Sequence, residues 1–267
     1  MMHSERQKYA LITGAASGMG RAYALQLAMR GYAILAVDRD EAANRRLEQL
    51  LSEQTDAPCR WLTVDLAQPD AAHEVLVWLE GEQIEVEVLV CNAGVLAFGG
   101  FAALTEQRIE QILQLHCATH TALVHALGGR MRERGHGYIL WVSSATAWMP
   151  YPSIALYAAT KSYIKRLAEA LHDEWRGDGV VVTTLCPGAV DTPFYRLDSR
   201  MRRWLLRLGV MLSPDEVVRR ALRALFKGRK RITPGWAAKA MVLIGRLTPS
   251  WVIRRIARLK WVQALLE

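Results

Sequence analysis

The chain is predicted to fold as an α/β unit, a parallel sheet wound with helices on both faces, and three observations carry that expectation. Short β-rich runs alternate with longer helical segments over most of the 267 residues. Most of the runs are continuously apolar rather than alternating, the pattern of strands covered on both faces. The first run ends in a glycine-rich turn that leads straight into a helix. In order, strands are expected at 9–13, 32–37, 60–65, 86–91, 138–143 and 180–185, with helices near 18–30, 40–54, 69–81, 105–134 and 152–176. Right-handed crossovers bring the C-terminal ends of such strands to one edge, where ligands bind. Further on, Ser213-Pro214-Asp215-Glu216 is a good helix start, 217–227 has amphipathic period and 229–234 is a candidate last strand.

Composition agrees. The chain is 51% apolar and 22% charged, enough to build one large core or two small ones, which excludes a disordered chain, a collagen-like repeat and a disulfide-stapled miniprotein. Cys59, Cys91, Cys117 and Cys186 lie far apart, without zinc or redox spacing, and read as small core residues in a reducing compartment; no metal is expected. The polar start Met1–Lys8 precedes a very short apolar run, so no secretory segment is read and a cytoplasmic location is expected. The uncharged stretches 88–105 and 138–160 are broken by glycine, proline and polar residues and are not read as membrane spans.

The chemistry begins at Thr13-Gly14-Ala15-Ala16-Ser17-Gly18-Met19-Gly20. Glycines at 14, 18 and 20 let the backbone turn tightly and approach a pyrophosphate, while the helix N-terminus offers free N–H groups and partial positive charge. The spacing is G-x-x-x-G-x-G, not the general G-x-G-x-x-G fingerprint. It resembles that of the short-chain dehydrogenase/reductase family, whose glycine motif is T-G-x-x-x-G-x-G. Asp38, 18 residues after Gly20 at the end of the second strand, can accept both adenosine ribose hydroxyls and repel a 2′-phosphate, which favours NAD; the neighbouring Arg39 keeps NADP open. Asp65-Leu66 matches the family's adenine-contacting pair, although Asp65 also suits a helix cap or turn. Asn92-Ala93-Gly94 matches its N-A-G element, in which Asn92 braces adjacent strand ends and the small residues clear space for the cofactor.

Tyr157 and Lys161 lie one helical turn apart on one face, so the ammonium can lower the phenol's pKa and make it a proton donor or acceptor. Ser144, 13 residues earlier at a strand end, can hydrogen-bond the substrate oxygen. The resemblance makes these the catalytic serine, tyrosine and lysine, with Tyr157 and Lys161 also in the cofactor site. It further implies that Pro187, Gly188, Val190 and Thr192 form the loop at the nicotinamide carboxamide. One departure stands out. Counting back from Met131, the position of the family's water-holding asparagine is His116, which either sustains a proton relay with altered pH dependence, since imidazole titrates near neutrality, or is a packed polar residue.

The resemblance covers roughly residues 7–234 and implies a Rossmann-like sheet of about seven strands, a catalytic domain 1–234 that includes a substrate lid at 193–212, and a homodimer or homotetramer. Residues 193–267 hold 18 Lys+Arg against 4 Asp+Glu, a net of +14, whereas 1–192 carry a net of −6. The 235–267 extension interleaves Trp236, Trp251, Ile253, Ile256 and Trp261 with Arg254, Arg255, Arg258 and Lys260. That pattern suits a membrane interface, or a cover for the pocket or a partner subunit. No nucleic-acid module accompanies the cations. The expected activity is an NAD(P)-dependent interconversion of a secondary alcohol and a carbonyl on a small lipophilic substrate. The alternative is a catalytically weak nucleotide-binding regulator or membrane-surface scaffold.

Overall fold

A computed structural model describes residues 7–96, 100–192 and 198–248, with the Arg246 side chain excepted. The elements run β1 (Tyr9–Thr13), α1 (Gly18–Ala28), β2 (Ala33–Asp38), α2 (Glu41–Gln54), β3 (Cys59–Thr63), α3 (Ala71–Gly81), β4 (Val86–Cys91), α4 (Glu106–Leu113) and α5 (His120–Glu133). They continue with β5 (Gly137–Val142), α6 (Ala155–Trp175), β6 (Val180–Leu185), β7 (Ala189–Val190), α7 (Ser199–Arg207), β8 (Met211–Leu212), α8 (Pro214–Phe226), β9 (Arg231–Ile232) and α9 (Trp236–Leu247). Seven strands form one sheet in the order β3-β2-β1-β4-β5-β6-β9, and every neighbouring pair is parallel.

The period-2 alternation of each strand sends its side chains into two apolar layers. Leu11, Leu35, Leu89, Ile139 and Trp141 pack with α3, α5 and α6 on one face. Ala10, Ile34, Val88, Leu140 and Val142 pack with α1 and α8 on the other. This arrangement explains the continuously apolar strands. The edge strand β3 is the exception, half-exposed, starting one residue and ending two residues before the expected 60–65. Its Trp61 lies under the Arg45 guanidinium, 5.4 Å from the ring centroid.

Two elements differ from the sequence expectation. The helix expected over 105–134 is interrupted by one wide turn at Gln114–Thr119, where the hydrogen bonds take π spacing. Thr119 ties that turn to the sheet edge by donating to the carbonyl of Leu66 at 2.9 Å. The 193–212 segment contains α7 and then β8, which pairs with β7 in a separate two-stranded ribbon. Residues 193–197 of that segment, and 249–267 of the extension, lie outside the described residues. Among the described residues no helix is long and apolar enough to cross a membrane.

Candidate active site

The sheet reverses its winding between β1 and β4, and a cleft of about 410 Å³ opens at the C-terminal ends of the strands there. The glycine turn forms its floor. Gly14 (φ +64°) and Gly18 (φ +50°) take left-handed conformations that most side chains resist. Gly20 serves packing, because a Cβ there would fall 1.8 Å from the Gly14 carbonyl oxygen. Ser17 occupies the N-cap position of α1 but its hydroxyl makes no capping bond, and it lines the cleft beside Met19.

Asp38 and Arg39 line one end. One Asp38 carboxylate oxygen accepts from the Ala16 amide at 3.1 Å, so the acid at the end of β2 also fixes the glycine turn. Asp65 and Leu66 border the same end, where Asp65 lines the cleft and accepts from the Ala67 amide at 3.1 Å as a turn residue. Asn92 braces β1 to β4 by donating from Nδ2 to the carbonyls of Thr13 (3.0 Å) and Gly14 (3.1 Å). Pro187, Gly188, Val190 and Thr192 close the opposite wall, with Ala93 and Gly94 beneath. The Pro187 carbonyl accepts from the Ala145 amide at 2.8 Å, and Gly188 is held against Ala238 of α9 with no room for a Cβ.

Ser144, Tyr157 and Lys161 meet at this end of the cleft. Ser144 Oγ accepts from both the amide (3.1 Å) and the hydroxyl (2.9 Å) of Thr146, so its own proton is directed elsewhere. Lys161 Nζ is buried, donates to the Val142 carbonyl at 3.0 Å and lies 5.6 Å from the Tyr157 ring centroid. Burial pushes the lysine down to about 8.

Two buried histidines stand behind this constellation. His116 Nε2 accepts from the Val95 amide at 3.0 Å, and its Nδ1 lies 2.9 Å from Thr160 Oγ1, whose hydroxyl donates to the Tyr157 carbonyl. The ring is therefore the neutral Nδ1–H tautomer, and burial with the nearby Lys161 ammonium holds its pKa well below the usual histidine value. The expectation that His116 titrates near neutrality is corrected accordingly. A second proton on Nε2 would face the Val95 N–H.

His120 repeats the arrangement under β1. Thr13 Oγ1 accepts from the amides of Asn92 (2.9 Å) and Ala93 (3.0 Å), and its hydroxyl lies between two further partners, the Val90 carbonyl at 3.3 Å and His120 Nε2 at 3.0 Å. Burial holds His120 down to about 3. The unfolded chain, with a histidine near 6.5, therefore binds a proton first on acidification. Stability from this group is complete above pH 6.5 and falls by about 1.4 kcal/mol per pH unit toward pH 3. Urea unfolding at pH 7.5 and pH 5 checks this: His120→Gln should lose less stability than the parent over that interval, by about 2 kcal/mol. Equal losses would show that His120 does not set the acid limit.

Sequence reasoning missed Arg108, Gln111 and Leu115, which line the cleft from α4 and the wide turn, and Ser143, whose hydroxyl donates to the Lys161 carbonyl at 2.7 Å. The spacing of 108, 111 and 115 marks a shared helix face, but nothing in it says that the face looks onto a cleft.

Comparison with known proteins agrees with the geometry. The family model for short chain dehydrogenase matches residues 8–202. The chain is similar to the inactive hydroxysteroid dehydrogenase-like protein 1 of Pongo abelii, with 28% identity covering 92% of this chain and 73% of that one. It is 26% identical to the very-long-chain 3-oxoacyl-CoA reductase of Bos taurus, over 94% of this chain and 78% of the relative. Among solved structures, a short-chain dehydrogenase from Sphingobium yanoikuyae in complex with NADPH superposes with a TM-score of 0.78 at 28% identity, covering 89% of this chain and 92% of its own. A match that runs from the first strand through the cleft and into the helix beyond it leads to one conclusion: this chain belongs to the short-chain dehydrogenase/reductase family, oxidoreductases that act on CH–OH groups.

Proposed function

We propose that this protein interconverts a ketone or aldehyde and the corresponding alcohol on a small lipophilic substrate, with Tyr157 exchanging the proton. The observation that carries the reading is that Ser144, Tyr157 and Lys161 border the same cleft as the glycine turn. The residues present fit a nicotinamide dinucleotide, because the positive φ of Gly14 and Gly18 shapes the turn before α1, the Asp38 carboxylate lines one end and the buried Lys161 ammonium lies at the other. When bound, that cofactor supplies or takes the hydride. The chain's own groups do the rest. Ser144, its lone pairs occupied by Thr146, donates its proton to the substrate oxygen and orients it. Tyr157 gives that oxygen a proton in reduction and takes one in oxidation. Lys161 spends one N–H on Val142, keeps the others for a ribose hydroxyl, and stabilises the phenolate by its charge. His116 links the loop after β4 to the Tyr157 turn through Val95 and Thr160 and acts as a positioning residue.

NAD is the favoured cofactor, because the Asp38 carboxylate repels a 2′-phosphate; NADP remains the alternative through Arg39. Titration with NADH and NADPH, read by energy transfer from tryptophan, should show tighter NADH binding. Asp38→Ser should shift the NADPH-to-NADH affinity ratio at least tenfold toward NADPH, about 1.4 kcal/mol. Tighter NADPH binding by the parent would hand the role to Arg39.

A lipophilic substrate is supported by the apolar 199–212 segment that follows the cleft residue Thr192, where Leu205, Leu206, Val210 and Met211 are half-buried or buried, and by the lipid-like compounds in the names of the similar proteins. Faster turnover of polar ketones than of lipophilic ones would sink this reading. We assign peripheral membrane attachment to 235–267 and a homodimer or homotetramer to the faces of 105–134 and 152–176. Analytical ultracentrifugation tests the second. The competing reading, a nucleotide-binding scaffold with little turnover, draws on His116 in the asparagine position, but the chain retains Ser144, Tyr157 and Lys161.

A further inference from the structure

Seven of the twelve exposed large apolar side chains among the described residues gather on two helices, while the other five are scattered over the rest of the fold. Met201, Trp204 and Leu208 follow one another at i, i+3 and i+7 along α7 and its C-terminal turn, and Trp236, Leu243, Ile244 and Leu247 lie on α9. Trp204 is 57% exposed, Trp236 62% and Leu247 74%. Beside the α7 stripe run Arg200, Arg203 and Arg207 at the same spacing, and α9 carries Lys239; all four are exposed. A helix packed on a water-soluble protein normally turns its apolar stripe inward and a mixed polar face outward. Here the outward faces are apolar and cationic.

The inward sides are already occupied. Arg202 of α7 pairs at 2.8 Å with Asp191, which stands between the cleft-lining Val190 and Thr192. On α9, Ala238 lies against Gly188, and the Met149 sulfur fills the space where a Gly245 Cβ would stand. The Trp236 indole N–H donates to the Leu208 carbonyl at 3.2 Å, which joins the two helices.

We infer that α7 and α9 together form a docking face for an anionic lipid bilayer, set at the wall of the catalytic cleft. Tryptophan and aliphatic side chains enter the headgroup boundary while flanking arginines reach lipid phosphates, the combination that holds interfacial helices. A second copy of the chain is the poorer occupant, because two such faces would oppose their arginine stripes. The sequence continues the same chemistry after α9, with Trp251, Arg254, Arg255, Arg258 and Lys260. The inference extends the peripheral attachment proposed for 235–267: it adds α7, and it places the cleft wall against the membrane, where a lipophilic substrate concentrates.

The test is flotation of the full chain with vesicles of phosphatidylcholine alone or with 30% phosphatidylserine, at about 0.15 M salt. Three variants are compared: W204E/L243E, R203E/R207E, and the tail reversal R254E/R255E/R258E. The expected result is binding to the phosphatidylserine vesicles only, lowered roughly tenfold or more by each of the first two variants, with thermal unfolding and NADH affinity unchanged. If only the tail reversal lowers binding, the docking face is wrong while attachment through 235–267 stands. If the parent does not bind, both are wrong. A change of oligomer mass in W204E/L243E without vesicle binding would assign the face to a protein partner and overturn the inference.

Discussion

Tyr157→Phe is expected to lower kcat by about 10²–10⁴ while leaving NAD(P)H affinity within about twofold and the melting temperature unchanged. The substitution removes one oxygen from a side chain that lines the cleft, and the ring keeps its edge contact with His116, 5.9 Å between centroids. Packing of the ring is therefore conserved while proton exchange is lost. Steady-state kinetics over a panel of lipophilic ketones, with a cofactor titration on the same preparation, checks both halves. Loss of turnover with retained binding separates an enzyme from a scaffold, because a scaffold has no turnover to lose. Residual activity within tenfold of the parent would mean that another group donates the proton.

Lys161→Met is expected to move activity and stability in opposite directions. Turnover should fall by at least about 10², since the phenolate loses its neighbouring cation. Stability at pH 7 should rise. Burial depresses the folded-state lysine to about 8 from 10.5, so at neutral pH the native state holds a charge in a site that penalises it by about 3 kcal/mol. Part of the gain is offset by the lost bond to the Val142 carbonyl, leaving a net increase of about 1–3 kcal/mol. The pH dependence fixes the cause. Between pH 8 and 10.5 the native lysine sheds its proton before the unfolded one, so the parent recovers this stability as pH rises and the gap to the variant closes. Chemical denaturation of both proteins at pH 7 and pH 10 measures it, and a gap that does not narrow would assign the effect to packing. Such a trade is expected where a catalytic charge is held away from water.

The elements of the cleft that use local backbone chemistry were legible in the chain. The glycine turn, Asp38 at the end of β2, and Tyr157 and Lys161 one turn apart each follow from short-range geometry: a left-handed φ, a strand end, a helical repeat. The helices and all six early strands were found within a few residues, most of the strands because a continuous apolar run is a consequence of burial on both faces. Less legible were features that depend on which face meets which. The wide turn at Gln114–Thr119 leaves no mark in an apolar pattern that continues through it, yet Thr119 docks on Leu66 and His116 on Val95 from that turn. Arg108 and Gln111 were overlooked because an ordinary amphipathic helix presents the same spacing.

The sequence by itself determined the winding of the sheet, the edge at which the cleft opens and the residue types available there, since each is set by local propensity and by the handedness of crossovers. The state of the two histidines was decided only in three dimensions. Imidazole is poised to titrate near neutrality in water, and it is burial, the nearby Lys161 ammonium and, for His116, a backbone N–H aimed at Nε2 that keep the rings neutral. The outward apolar faces of α7 and α9 belong to the same class. An amphipathic pattern records that a helix has two faces, and only the placement of Asp191, Gly188 and Met149 against those helices decided which face was left to the outside.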